Sequence, residues 1–98
     1  MARRAAGHAA QAAEEIALTD STTMGLGLLY GGLRLRADQE VLTTEHDFYS
    51  THEALRLRSA RTGSTVNQVR LYDSPADASV DEIVGRLLGA VTPRTRVV

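Results

Sequence analysis

Apolar residues recur near the end of the chain at the spacing of one helical face. Between positions 80 and 91 they stand at i, i+3, i+4, i+7, i+8 and i+11, the period of an amphipathic helix. Ser79 and Glu82 are spaced as a capping box before this stretch, and Thr92-Pro93 follows it. The pattern predicts a helix over 79–91. Its apolar positions are Val80, Ile83, Val84, Leu87, Leu88 and Val91.

A second predicted helix, over 22–32, is apolar nearly all round, which predicts burial on several sides. Ser21 is its expected N-cap, and Gly31-Gly32 fit a C-terminal cap and turn. Gly25 and Gly27 lie inside it, where each glycine costs about 1 kcal/mol relative to alanine. We therefore expect a neighbouring element to occupy the space of their missing side chains.

Short apolar segments alternate with the helices. They predict strands over 16–19, 40–44, 65–71 and 95–98. A third helix is expected over 50–62, opened by a capping box from Ser50 to Glu53 and closed by Gly63. Alternation of strand and helix predicts the α/β class, with a mostly parallel open sheet.

The predicted organisation has two parts. Residues 1–15 are rich in alanine and are expected to form a helical N-terminal segment. Residues 16–98 are expected to form an incomplete α/β domain. Because the last predicted strand stops without a turn, and a buried parallel strand needs neighbours, we expect this domain to be truncated at its C-terminus.

Composition narrows the possible functions. The net charge is −1 and the arginines are spread along the chain, which argues against a nucleic-acid partner. No apolar run approaches the roughly 20 residues of a membrane span, so a cytoplasmic protein is expected. All 11 basic residues are arginines, and there is no lysine and no cysteine. No metal site is expected, since the histidines lack ligand spacing.

A cluster of hydroxyl residues stands at the start of the 22–32 helix. Helix N-termini bind anions because their first amides lack intrahelical partners. Ser21, Thr22 and Thr23 would add hydroxyls to such a site, and a phosphate group is the expected ligand. The alternative is a capped helix with threonines in its first turn. A dinucleotide fingerprint is disfavoured because Tyr30 stands where the third glycine belongs, and a Walker loop would need a lysine.

A second candidate residue is His46, which directly follows the 40–44 strand and Glu45. Ligands of open α/β sheets bind beyond the carboxyl ends of the strands. A neutral imidazole at that edge can stack on a flat aromatic ring. The alternative is a loop histidine bonded to its neighbours.

The ordered combination of these motifs resembles class V aminotransferases, which are pyridoxal-phosphate enzymes of fold type I. The stretches 16–25 and 40–47 are most similar to the branch near isopenicillin-N epimerase, and cysteine desulfurases are more distant. The resemblance covers 16–98 in element order and implies part of the large domain. It implies that Thr22 and Thr23 hold the cofactor phosphate and that His46 stacks over the pyridine ring.

By the same resemblance, the complete enzyme would act on an amino acid by transamination, epimerisation or desulfuration, as a homodimer. The family holds its cofactor through a lysine Schiff base, and this chain contains no lysine. No catalytic residue is therefore assigned here, and the 98 residues alone are expected to be inactive. Two alternatives stay open: a noncatalytic α/β module for a phosphorylated ligand, and a structural fragment without a ligand.

Overall fold

The computed structural model describes residues 12–98. Three helices alternate with three strands in these residues, and two short 3-10 turns, Ala13–Glu15 and Pro75–Asp77, accompany them. The α/β class predicted from the sequence is therefore confirmed. In chain order the elements are α1 (Thr22–Gly32), β1 (Glu40–Thr44), α2 (Tyr49–Thr62), β2 (Thr65–Val69), α3 (Val80–Ala90) and β3 (Thr95–Val97).

The sheet has the order β2-β1-β3, and both pairings are parallel. Glu40 lies opposite Thr65 and Thr44 lies opposite Val69, so β1 and β2 end at the same edge. The central strand carries the core: Val41 is 3% exposed and Leu42 is 1% exposed. This burial explains why β1 is apolar at consecutive positions, as strands of parallel sheets are.

The predicted strand over 16–19 is wrong. Residues 16–19 have no regular secondary structure, and Leu18 is 59% exposed. An extended segment becomes a strand only where a neighbour supplies backbone hydrogen bonds. Within residues 12–98 no strand lies beside this segment, although Ile16 has the extended backbone that its apolar character suggested.

The helix boundaries test the predicted caps. Ser21 accepts a hydrogen bond from the Met24 amide, and Ser79 accepts one from the Glu82 amide, so both serine caps are confirmed. Gly63 closes α2 with a φ of 76°, the left-handed conformation expected there.

The predicted capping box at Ser50 is wrong. The helix begins one residue earlier, at Tyr49, and Phe48 precedes it without any side-chain cap. The glutamate of the expected box, Glu53, instead forms an ion pair with Arg56, three residues further along α2. Arg56 thus binds the Glu53 carboxylate that was expected to cap the helix.

The end of α1 also differs from the prediction. Gly31 and Gly32 belong to the last turn of the helix, and Leu33 follows in an extended conformation rather than a left-handed one. Arg58 from α2 reaches the carbonyl oxygen of Leu33 and donates to it from Nε at 3.0 Å. A guanidinium therefore satisfies a helix-end carbonyl where a glycine cap was expected.

Much apolar surface lies uncovered in the described residues. α1 packs on α2, but no α1 residue is buried and Leu28 is 68% exposed, so the expected burial on several sides is absent here. Leu88 on α3 is 65% exposed. The buried apolar core consists of Val41, Leu42 and Leu55, which leaves the described chain with a small core for its length.

The Ala-rich helix expected over 1–15 falls largely on residues 1–11, which lie outside the described residues. Among residues 12–98, no helix has both the length and the apolar character needed to cross a bilayer.

Candidate phosphate and ring-stacking site

The first turns of α1 and α2 border one cavity of about 430 Å³. Four of its lining residues carry serine or threonine hydroxyl groups, two from each helix: Thr22 and Thr23 from α1, and Ser50 and Thr51 from α2. The remaining lining residues are Leu26, Gly27, Tyr30, Phe48 and Ala54. The cavity therefore lies between α1 and α2, and hydroxyl residues from the first turn of each helix line part of it.

The backbone at these helix ends favours an anion. The Ser21 side chain caps the Met24 amide, at 3.1 Å, and the described residues offer no acceptor to the Thr22 and Thr23 amides. Neither α1 nor α2 has an acidic residue in its first turn. Unpaired amides together with the positive end of the helix dipole attract negative charge. The amide and hydroxyl donors suit a phosphate group, whereas the rest of the cavity lining is mostly apolar.

The His46 ring lies on the connection between β1 and α2, just beyond the carboxyl end of β1. It stacks on Tyr72, with ring centroids 4.1 Å apart and planes 6° from parallel. Its Nε2 accepts a hydrogen bond of 3.1 Å from the Leu71 amide. Leu71 and Tyr72 follow β2 as His46 follows β1, so the parallel register brings the two loops together.

The turn that carries His46 is fixed by Asp47. One carboxylate oxygen, Oδ2, accepts from the Thr43 hydroxyl at 2.6 Å, the Thr44 amide at 2.9 Å and the Thr44 hydroxyl at 2.9 Å. The Thr44 hydroxyl oxygen in turn accepts from the His46 amide at 3.2 Å. These bonds, with the Thr43 hydroxyl as the largest cause, lower the pKa of Asp47 below its ordinary value of 3.8.

Ion pairs tie the neighbouring loop to the same edge. Arg70 pairs with Glu45 at 2.8 Å, and Arg86 of α3 pairs with Asp73 at 3.0 Å. Exposed ion pairs contribute about 0–1 kcal/mol each, so their effect here is mainly to orient the loop. Residues 70–73 are thereby held next to the residues that follow β1.

The structure brings together some predicted site residues. Thr22 and Thr23 share the cavity, whereas His46 is absent from its lining and contacts Leu71 and Tyr72 instead. Phe48, two residues after His46, does line the cavity, so both features involve the β1–α2 connection.

Sequence reasoning missed four contributors to this region: Ser50, Thr51, Asp47 and Tyr72. The two hydroxyls of α2 were assigned to a capping box, which removed them from consideration as ligands. The spacing of Thr44 and Asp47 is that of a side chain bonding to a nearby backbone amide, and this signal could have identified the turn. No local signal pairs Tyr72 with His46, because their contact depends on the sheet register.

The two glycines of α1 differ. A Cβ at Gly25 would lie 3.2 Å from Thr19 Oγ1, a tight contact, so this glycine has the close neighbour that was expected. A Cβ at Gly27 would meet nothing within 4 Å among the described residues, so the expected neighbour is absent there. Gly27 instead lines the cavity, one helical turn after Thr23.

We expect Gly27→Ala to raise the free energy of unfolding by about 0.5–1 kcal/mol, because alanine is the better helix residue and the site is open. Urea denaturation followed by circular dichroism measures the change. Gly25→Ala is the matched control, and it should gain less because of Thr19. A larger gain at position 25 than at position 27 would contradict the described packing.

A pH prediction follows from Asp47. Because its folded-state pKa is lowered, its contribution to stability is complete above the ordinary value of 3.8 and is lost as the pH falls through the lower folded value. Asp47→Asn should therefore flatten the acid limb of the stability curve. Asp77→Asn is the control, since the Asp77 side chain has no hydrogen bond or ion pair within residues 12–98. Equal acid limbs in wild type and Asp47→Asn would refute this role.

Comparison with known proteins identifies no family for this chain. A scan against models of protein families and a search of curated proteins each find no match to this chain. Within residues 12–98, no three histidine or carboxylate side chains cluster closely enough to hold a metal ion.

Proposed function

We propose that this chain is part of a pyridoxal-phosphate-dependent enzyme of the class V aminotransferase type and supplies the cradle for the cofactor phosphate. The observation that carries the proposal is the cavity between two helix N-termini, lined by Thr22, Thr23, Ser50 and Thr51. The substrate would be an amino acid, and the complete enzyme a cytoplasmic homodimer.

The residues of this chain would bind and orient the cofactor. The free amides of Thr22 and Thr23 and the four serine and threonine hydroxyls would donate hydrogen bonds to phosphate oxygens. Each bond would be stronger than a neutral one because the acceptor is charged. The positive N-terminal end of the α1 dipole, close to Thr22 and Thr23, would add to this attraction. His46, placed at the carboxyl edge of β1, would present its ring to the pyridine.

When bound, pyridoxal phosphate supplies an electron sink that stabilises negative charge on the amino-acid carbon. The covalent link to the cofactor needs a lysine amine, and none of the 98 residues is lysine. The lysine amine would therefore come from polypeptide outside these 98 residues. A noncatalytic module for a phosphorylated ligand is the second candidate, since the cavity between α1 and α2 supports phosphate binding by itself.

Binding of pyridoxine 5′-phosphate tests the proposal. This analogue lacks the aldehyde, so it cannot form an imine with the N-terminal amine. We expect saturable binding by calorimetry, much weaker binding of unphosphorylated pyridoxine, and inorganic phosphate as a weak competitor. Equal affinity for both analogues would contradict the cradle, and competition by phosphate with no gain from the pyridine ring would favour the noncatalytic module.

A further inference from the structure

The most constrained side chain at the sheet edge is the His46 imidazole. Two contacts fix the ring itself: the Leu71 amide donates to Nε2, and the Tyr72 ring covers one face. The turn held by Asp47 and Thr44 fixes the backbone that carries the ring. An exposed loop histidine has no need of so many contacts. The arrangement instead holds one chemical form of the ring in one orientation.

The hydrogen bond from the Leu71 amide determines the tautomer of the His46 ring. A backbone amide can only donate, so Nε2 of His46 must carry a lone pair, and the ring proton must be on Nδ1. His52 shows the opposite case six residues later. Its Nε2 lies 2.8 Å from the Thr44 carbonyl oxygen, which can only accept, so the ring proton of His52 is on Nε2.

The stacking on Tyr72 determines the orientation of the His46 ring. Tyr72 is half-buried and lies nearly parallel to the imidazole, while His46 itself is exposed. One imidazole face is therefore covered by an aromatic ring, and within residues 12–98 no other ring contacts the second face. A flat heteroaromatic ring can stack there as a third layer, since offset parallel aromatic rings attract each other.

We propose that Tyr72 is a positioning residue: its ring holds the His46 imidazole in the orientation in which Nε2 accepts from the Leu71 amide, with the ring proton on Nδ1 and one face open for the pyridine ring of a phosphorylated ligand. This inference rests on the proposed function for the identity of the ligand. The orientation and protonation of His46 do not depend on it and are measurable without ligand.

Nitrogen-15 NMR of the ligand-free 98-residue chain tests the first part. At mildly alkaline pH, Nε2 of His46 should give a pyridine-type shift and Nδ1 a pyrrole-type shift, while His52 should show the reverse. The variants His46→Gln and His52→Gln assign the signals. A pyrrole-type Nε2 at His46 in the wild-type chain overturns the proposal.

Variants at position 72 test the positioning role. Tyr72→Phe should keep the His46 tautomer and the affinity for pyridoxine 5′-phosphate. Tyr72→Ala should lose the single tautomer and bind this probe about 2–10-fold more weakly, the usual worth of an aromatic pair. Unfolding midpoints of both variants show whether either is simply unfolded, and Tyr72→Leu, which keeps apolar bulk without an aromatic ring, should then behave like Tyr72→Ala.

The outcomes separate the two proposals. If the wild-type chain shows the predicted tautomer and Tyr72→Ala loses it, but no pyridoxine 5′-phosphate binds, then Tyr72 positions His46 and the proposed function fails. If the probe binds and Tyr72→Ala changes neither tautomer nor affinity, the proposed function stands and the role of Tyr72 is refuted. Displacement of the His46–Tyr72 stack by the probe would also refute it.

Discussion

Leu42→Ala should destabilise the chain more than any other single truncation of an apolar side chain. Leu42 is 1% exposed, lies at the centre of β1 and is the most buried large side chain of the described residues. Truncation of a buried leucine to alanine costs about 2–5 kcal/mol, through lost burial and the cavity that remains. Since small domains have little stability in reserve, we expect the variant to be largely unfolded.

Circular dichroism in a urea series measures this effect, and Leu88→Ala is the matched control. Leu88 is 65% exposed on α3, so the same chemical change should cost little there. Equal losses at positions 42 and 88 would show that β1 is not the centre of the core. The comparison requires only the chain itself and no ligand.

The second large effect is expected in ligand affinity. Replacement of both Thr22 and Thr23 by valine keeps the shape of the side chains and removes two hydroxyl donors from the cavity. Hydrogen bonds to a charged acceptor are worth about 1.5–3 kcal/mol each, so affinity for pyridoxine 5′-phosphate should fall at least tenfold. The backbone amides stay in place, which leaves residual binding.

Calorimetry gives the affinities, and the serine variants provide the control. Thr22→Ser and Thr23→Ser keep the hydroxyls, so a chain with both changes should bind within a few-fold of the wild type. The loss with valine should be absent for unphosphorylated pyridoxine. A valine variant that binds as tightly as the wild type would remove the two threonines from the site.

Local patterns predicted most of the architecture. The α3 helix was predictable from its regular apolar spacing and its serine cap. The end of α2 was predictable because Gly63 can adopt the left-handed conformation that a helix end requires. These features depend on residues within one or two helical turns. Predictions of this kind succeeded because the sequence signal and the physical cause lie in the same segment.

Predictions failed where the cause lies elsewhere in the chain. Residues 16–19 have a strand-like sequence, but a strand needs a partner, and the described residues provide none. Arg58 satisfies the end of α1 from 25 positions away, so no pattern within α1 reveals it. The contact of His46 with Tyr72 depends in the same way on the register between β1 and β2.

The candidate site was only partly visible for the same reason. Thr22 and Thr23 could be identified because a hydroxyl pair at a helix start is a local signal. Ser50 and Thr51 join them only because α2 packs against α1, so that its first turn lines the same cavity. Tertiary packing thus extends a two-residue motif to a cavity lined by four serine and threonine hydroxyls.

The central claim is that the N-termini of α1 and α2 bind a phosphate group, and amide NMR with pyridoxine 5′-phosphate tests it most directly. α3 is an internal control, since it also has a serine cap but carries Asp81 and Glu82 in its first turn. We predict saturable shifts of the Thr22, Thr23 and Ser50 amides, which have no acceptor among residues 12–98, with the Asp81 and Glu82 amides unchanged. Shifts that spare the first turns of α1 and α2, or that affect all three helix starts equally, would contradict the claim.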